Sequence, residues 1–332
     1  KSAYEVECRA KEGKHINTIK EDLEALVDKR LHWTLLTLPI LGIVIFTILP
    51  LVFMICMAFT SYSKVGDHLT IFHWVGLKNF STVLGMGNSI GKTFWSVLGW
   101  TLIWAVLATF LNYILGMILA IVINRKTTRI KGFWRFCFML SAAIPQFVSL
   151  LLMRTMLKDN GLINNLLVQA GLISSPLPFL TNATWARATV VIINLWVGIP
   201  FTMMQVTGIL QNIPGELYEA ARVDGAGPVT IFFKITLPYM LFVTTPYLIT
   251  TFTGNINNFN VIYLLTAGAP VPVGATAGKT DLLVTWLYKL TVDLQYFNVG
   301  AVVGILTFVI LAVVSLITYR NTGSYKNEEG FQ

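Results

Sequence analysis

Six stretches of this chain, 31–60, 94–123, 133–157, 185–210, 237–265 and 297–319, run for the length of a bilayer crossing without a single Asp or Glu. A bilayer's hydrocarbon core asks for about 20 consecutive, mostly apolar residues in a helix. The runs do not alternate as barrel strands do, and they are too uniformly apolar to be one-sided helices of a soluble globule. With no water available, each backbone N–H and C=O must be satisfied inside the segment, which the helix achieves. The expected fold class is therefore an all-α integral membrane protein with six transmembrane helices. Composition agrees: 12% of residues are charged, where a soluble domain carries about 25%.

The distribution of charge predicts orientation. Most of the 24 Lys and Arg fall before the first run, in the short acid-free loop Asn124–Lys131, in the loop after the fourth run and after the sixth. Loops rich in Lys and Arg stay in the cytoplasm, so both termini of this chain are expected there. The net charge of +8 flanks apolar runs instead of forming a water-facing patch with aromatic readers, which argues against a nucleic-acid partner. Three cysteines, Cys8, Cys56 and Cys137, without CxxC spacing make neither a disulfide framework nor a metal site. Because the chain starts at Lys1, a further upstream segment is expected to be missing.

The predicted organisation is a cytoplasmic segment over 1–31, a membrane domain over 32–319, a cytoplasmic loop over 211–238 and a tail over 320–332. Ile16, Ile19, Leu23, Leu26 and Val27 recur at helical spacing and predict an amphipathic helix over Ile16–Lys29, lying against the cytoplasmic end of the bundle. Pro39, Pro50, Pro145, Pro200 and Pro246 lie within the runs and predict kinks.

Three motif-like stretches fail on context. Gly85–Thr93 and Gly274–Thr280 each end in Gly-Lys-Thr, but Met86 and Val273 stand where a phosphate-cradling loop needs its first Gly, and neither lies between a strand and a helix. This chain is expected to bind no nucleotide itself. Gly87-Asn88-Ser89-Ile90-Gly91 fits G-x-S-x-G, but Asp67, His68 and His73 precede the serine, and no strained strand-to-helix turn is expected. No catalytic residue and no metal ligand set is predicted.

The loop 211–238 has the grammar of a short, separately capped helix. Asn212 can cap it, Pro214 suits its first turn, Glu216 favours its positive end, and Gly225 supplies the left-handed residue that stops it. Leu217, Ala220, Ala221 and Asp224 share a face by their spacing. Such a helix is either an ordinary interhelix turn or a knob for a partner's socket. Glu219-Ala220-Ala221, Gly225 after three residues and Ile235-Thr236-Leu237-Pro238 after nine more match E-A-A-x3-G-x9-I-x-L-P. That pattern resembles the EAA signature of binding-protein-dependent ABC importer permeases, of the type I importer fold.

The resemblance extends to Trp74–Phe80, Leu217–Gly227, Asn257-Asn258-Phe259 and Thr280–Val284, and is closest to the F-type membrane subunit of maltose/maltodextrin importers and their galacto-oligosaccharide relatives. It implies a multi-pass subunit of a bacterial cell membrane that passes an oligosaccharide, maltodextrin-like by preference, by alternating access. It also implies as partners a second homologous permease, two ATP-binding subunits and an extracellular solute-binding protein. ATP and Mg would sit on the partner ATPases, with no cofactor on this chain. Glu216, Leu217, Glu219, Ala220, Ala221, Asp224 and Gly225 would then form the ATPase-docking surface. The rival reading, an ion-coupled secondary sugar transporter, normally needs an ionisable group on its pathway, and no run holds a carboxylate.

The resemblance places sugar contacts at Asn257 and Asn258. Four amides within Gly254–Asn260 are costly in an apolar run unless they bond other helices or line a wet cavity. Local chemistry adds Asn255 and Tyr263; Phe297 and Asn298, then Asn194 and Trp196, are weaker candidates. On one continuous helix Asn255 and Asn258 share a face and Asn257 does not, unless Gly254 loosens the helix. Arg154 and Arg187, at the outer span edges, are expected to snorkel.

Overall fold

A computed structural model of the chain describes Lys11 and residues 31–65, 68–69, 72–125 and 127–320. The helix expected over Ile16–Lys29 and the tail 321–332 lie outside the described residues. The chain divides into two units, Lys1–Cys56 and Met57–Gln332. The first carries most of α1 (Leu35–Ala58). A π turn at Val44–Ile48 interrupts α1 just before Pro50, while Pro39 lies within its regular part.

The second unit begins with a two-residue hairpin, β1 (Lys64–Val65) and β2 (His68–Leu69), paired antiparallel. Then come α2 (Lys78–Leu84), α3 (Ser89–Asn124), α4 (Lys131–Ala143), α5 (Gln146–Met156), α6 (Leu162–Gln169) and α7 (Ala183–Leu210). After α8 (Gly215–Val223), the turns Pro228–Ile231 and Phe232–Thr236 lead into α9 (Leu237–Ile256), followed by α10 (Phe259–Leu265), α11 (Leu283–Tyr288) and α12 (Phe297–Arg320). Among the described residues, five helical stretches are long and apolar enough to cross a membrane, and six if α4 and α5 count as one.

That pair is where the expected third span departs from a rod. α4 and α5 meet at 84° across Ile144-Pro145, both in extended conformation. Proline lacks the N–H that would continue the ladder, and its ring drives the preceding residue out of helical space. Pro200 and Pro246, by contrast, lie inside helices that continue past them. Of the places that proline marks, Pro145 carries a sharp break and Pro50 follows a π turn.

Two apolar clusters are stacked along the bundle. One gathers Tyr113, Met117, Ala120 and Ile123 of α3 with Met203, Val206, Ile213 and Met240, at the end that carries α8. The other joins Trp100, Trp104 and Ala108 with Leu150, Val190, Ile193, Val261, Ile262 and Leu265. Between them α3 and α7 approach closely: a side chain at Gly116 would meet Thr202 at 2.8 Å, and one at Gly198 would meet Asn112 at 2.7 Å. In hydrocarbon such small residues allow the tight packing that holds helices together.

Candidate functional site

α8 is a nine-residue helix with no buried residue. Its stop is a Schellman motif: Gly225 sits at φ +78°, Ala226 N–H donates to the Ala221 carbonyl at 2.8 Å, and Gly225 N–H donates to Arg222 at 3.0 Å. Glu216 in the first turn and Arg222 in the last both complement the helix dipole. The expected cap differs. Pro214 occupies the N-cap position with no side-chain bond, and the Asn212 N–H closes the end of α7 on Ile209. Proline at this position fixes the chain's entry where an amide cap would otherwise be needed.

What pins α8 is a residue that spacing alone did not single out. The Tyr218 ring packs on the cluster at that end of the bundle, and its hydroxyl lies 3.2 Å from the Thr236 hydroxyl. Half-buried Ala221, one turn on, shares that inward face. Glu216, Leu217, Glu219, Ala220, Asp224 and Gly225 are all exposed, as is Val223 at 88%. Six of the seven predicted docking residues therefore stand outward, and Ala221 is the exception.

The fifth span breaks at the asparagine pair itself. α9 runs helically through Gly254 to Ile256, and the chain leaves the helix at Asn257 (φ −97°, ψ 21°) and Asn258 (φ −74°, ψ 89°). The flexible point expected at Gly254 thus lies three residues later. Asn258 restarts the helix, its side-chain oxygen accepting from Val261 N–H at 3.2 Å, and its amide donates to the Asn255 side chain at 3.4 Å. Asn255 is bound into the bundle: its side-chain amide donates to the Thr109 hydroxyl at 3.0 Å, and its backbone carbonyl accepts from the buried Trp104 indole at 3.1 Å. Thr109 belongs to a π turn, Leu107–Leu111, of α3. Asn257 is exposed, and among the described residues its side chain bonds to none. The three amides are thus divided between interhelical bonding, capping and freedom.

Beside the break Tyr263, Phe259 and Tyr288 form a ring cluster. Phe259 stacks on Tyr263 at 4.7 Å between centroids, and Tyr288 stands edge-on to both at 5.2 Å. Tyr288, on α11, was not among the predicted residues; its neighbours come from another span, and no spacing reveals that. Phe297 and Asn298 serve elsewhere. Phe297 stacks on Tyr62 at 5.4 Å. Asn298 donates through its side chain to Asn79 at 3.2 Å and through its N–H to the Tyr62 carbonyl at 3.1 Å, bracing the start of α12 against the preceding loop.

The break in the third span opens a cavity of about 410 Å³, lined by Ser141, Gln146 and Ser149 on one side and by Trp196, Gly198 and Phe201 of α7 on the other. Irregular backbone at membrane depth is tolerated where it lines such a space. Asn194, one turn before Gly198 on α7, is 7% exposed, and its side-chain nitrogen has no hydrogen-bond partner among the described residues.

A second buried polar assembly lies between α10 and α11. Asp281, 1% exposed, accepts from Lys289 Nζ at 2.6 Å, Gly278 N–H at 2.6 Å and Thr285 Oγ1 at 2.9 Å. Thr280 Oγ1 lies 2.8 Å from Thr266 Oγ1 and donates to the Ala269 carbonyl. A buried carboxylate holds its charge only with such a full set of donors. This knot clamps the long connection between the fifth and sixth spans.

Comparison with known proteins converges on one family. The model of the binding-protein-dependent transport system inner membrane component matches residues 112–322. The chain is 35% identical over 332 residues to the galactooligosaccharides transport system permease protein GanP of Bacillus subtilis (strain 168), covering 99% of this chain and 78% of that one. It is 36% identical to the maltodextrin transport system permease protein MdxF of the same organism, covering 96% and 75%. In fold it is similar to a bacterial ABC transporter involved in the import of the acidic polysaccharide alginate, with TM-score 0.69, 23% identity and coverage of 90% and 96%. With the EAA spacing carried on an exposed, capped helix, the chain belongs to the binding-protein-dependent transport system inner membrane components, the permease subunits of ABC importers.

Proposed function

We propose that this permease imports a neutral oligosaccharide, a maltodextrin or galacto-oligosaccharide, delivered by an extracellular solute-binding protein and driven by two partner ATPases. Its bilayer pairing is with a second, homologous permease. The single observation that carries this reading is α8, a short helix stapled to the bundle by Tyr218 while Glu216, Glu219, Ala220 and Val223 face outward. A rigidly held exposed helix transmits force; a frayed turn would not. In the proposed cycle α8 sits in a groove on the ATPase, where ATP and Mg bind, and closure of the ATPase pair tilts α7 and α9, between which α8 is strung. The end bearing α8 faces the cytoplasm, with both termini of this chain on that side.

The sugar route follows the interrupted backbone. Asn257 offers a free amide to hydroxyls, and the Phe259–Tyr263–Tyr288 rings offer faces to pyranoses, while Asn255 and Asn258 hold the break open. The third-span cavity, with Trp196 and Gln146, adds a second amphipathic wall. Relatives named for maltodextrin and galactooligosaccharide transport support the substrate class.

The test is uptake of labelled maltodextrin into proteoliposomes holding the assembled complex, with ATP supplied and ion gradients collapsed. Uptake that requires both ATP and the binding protein is the expected result. Uptake sustained by an ion gradient without ATPases would overturn the reading.

A further inference from the structure

The two glycine-lysine-threonine stretches that fail as nucleotide loops meet in space. At the end of the bundle away from α8, a pocket of about 390 Å³ is lined by Ser89, Lys92, Thr93 and Ser96 of α3, by Arg187 of α7, and by Pro272, Ala275 and Lys279 of the connection after α10. Three cations, Lys92, Arg187 and Lys279, converge on it, and none has an acidic partner among the described residues.

Arg187 does not snorkel freely, as its place at a span edge suggested. Its guanidinium lies 4.6 Å over the Trp100 ring, and its Nε donates to the Lys279 carbonyl at 2.8 Å. The Trp100 indole in turn donates to the Thr280 carbonyl at 3.2 Å. The guanidinium is thereby fixed, with its terminal nitrogens left for something else. Behind this wall stands the Asp281–Lys289 knot, which makes the loop a rigid platform.

We infer that this pocket is a docking socket for an acidic side chain of the extracellular solute-binding protein. The inference rests on the importer reading and adds the site and chemistry of the contact. A preorganised, partly buried arginine flanked by two exposed lysines suits a carboxylate, which it takes bidentately while the lysines steer the approach. The rim suits a protein partner: Val273 is fully exposed and Val271 half exposed beside the charged centre, the pairing of apolar contact with a polar anchor found at protein interfaces. The pocket opens where the first turns of α3 and α7 meet a loop, at the helix ends and not along a lipid-facing flank. That geometry favours a soluble acidic protein over a phospholipid headgroup.

The experiment uses the assembled complex in nanodiscs with solute-binding proteins from the same organism. ATPase activity is titrated against each of them for the wild type, for Lys92→Glu/Lys279→Glu, and for Lys92→Gln/Lys279→Gln. The expected result is a half-saturating concentration raised at least about tenfold by charge reversal and less by neutralisation. A steep salt dependence should appear in the wild type and be flattened in the reversal variant. An Asp or Glu to Lys change on the binding protein should restore the reversed pocket. Stimulated wild type with an unchanged half-saturating concentration in the reversal variant overturns the socket alone. Loss of the wild-type effect on exchanging anionic for zwitterionic lipid assigns the pocket to a headgroup and overturns it too. Failure of the wild type to respond to any binding protein overturns the importer reading with it.

Discussion

At the residue scale, the chemistry of the fifth span is decided by which amides already have partners. Asn255 spends its side-chain amide on Thr109, while its backbone carbonyl takes the Trp104 indole, so loss of the side chain is a packing defect between α3 and α9. Asn257 has no such obligation. Asn257→Ala should therefore lower uptake by about tenfold, the worth of roughly one hydrogen bond to substrate, with the thermal midpoint of the purified complex unchanged. Asn255→Ala should lower the midpoint, since it strands the Thr109 hydroxyl. Normal uptake by Asn257→Ala would remove this amide from the sugar route. Four amides in seven residues showed that something polar happens here; that one is free and one is glue depends on Thr109, about 150 residues away in sequence.

At the scale of elements, α8 carries its own instructions. Pro214, Glu216 and Gly225 mark entry, first turn and stop within a dozen residues, so the helix was legible to within a residue or two. The face it presents was not, because Tyr218 turns inward only when the ends of α3 and α9 supply a surface for its ring. Two changes separate the helix from its anchor. Glu219→Lys alters the outward stripe alone and should cut transport and binding-protein-stimulated ATPase at least tenfold with normal insertion. Gly225→Val puts a β-branched residue at φ +78°, costs about 1–3 kcal/mol of local strain, and should uncouple ATPase from transport by loosening the stop. The check is transport and ATPase measured side by side. Wild-type coupling in both variants would mean α8 is only a turn. The third span shows the opposite case: proline marked five places, and among the described residues the 84° break falls at one of them, Pro145. The helices continue through Pro200 and Pro246, where helix geometry is kept despite the missing N–H.

For the whole molecule, the disposition of loops about the bilayer can be read with two exposed positions. Val223 lies at the end of α8 and Val273 at the tip of the loop after α10, 88% and 106% exposed. With the native cysteines replaced, a cysteine at 273 should react with a membrane-impermeant maleimide on intact cells, and a cysteine at 223 only after permeabilisation. Equal labelling of both would refute the orientation that the Lys and Arg distribution predicts.

The number of spans, the all-helical class and the EAA loop follow from the amino-acid sequence alone, because each rests on forces that act along the chain. Apolar length against bilayer thickness, backbone satisfaction within a segment and cap chemistry at helix ends all involve near neighbours. Tertiary structure alone decided what depends on neighbours distant in the chain. It joined Tyr288 to Phe259 and Tyr263, divided the asparagines between glue and freedom, and drew Lys92, Arg187 and Lys279 around one pocket. Each of those outcomes is set by packing between spans, where the position of a side chain is fixed by the shape of a surface that another part of the sequence provides.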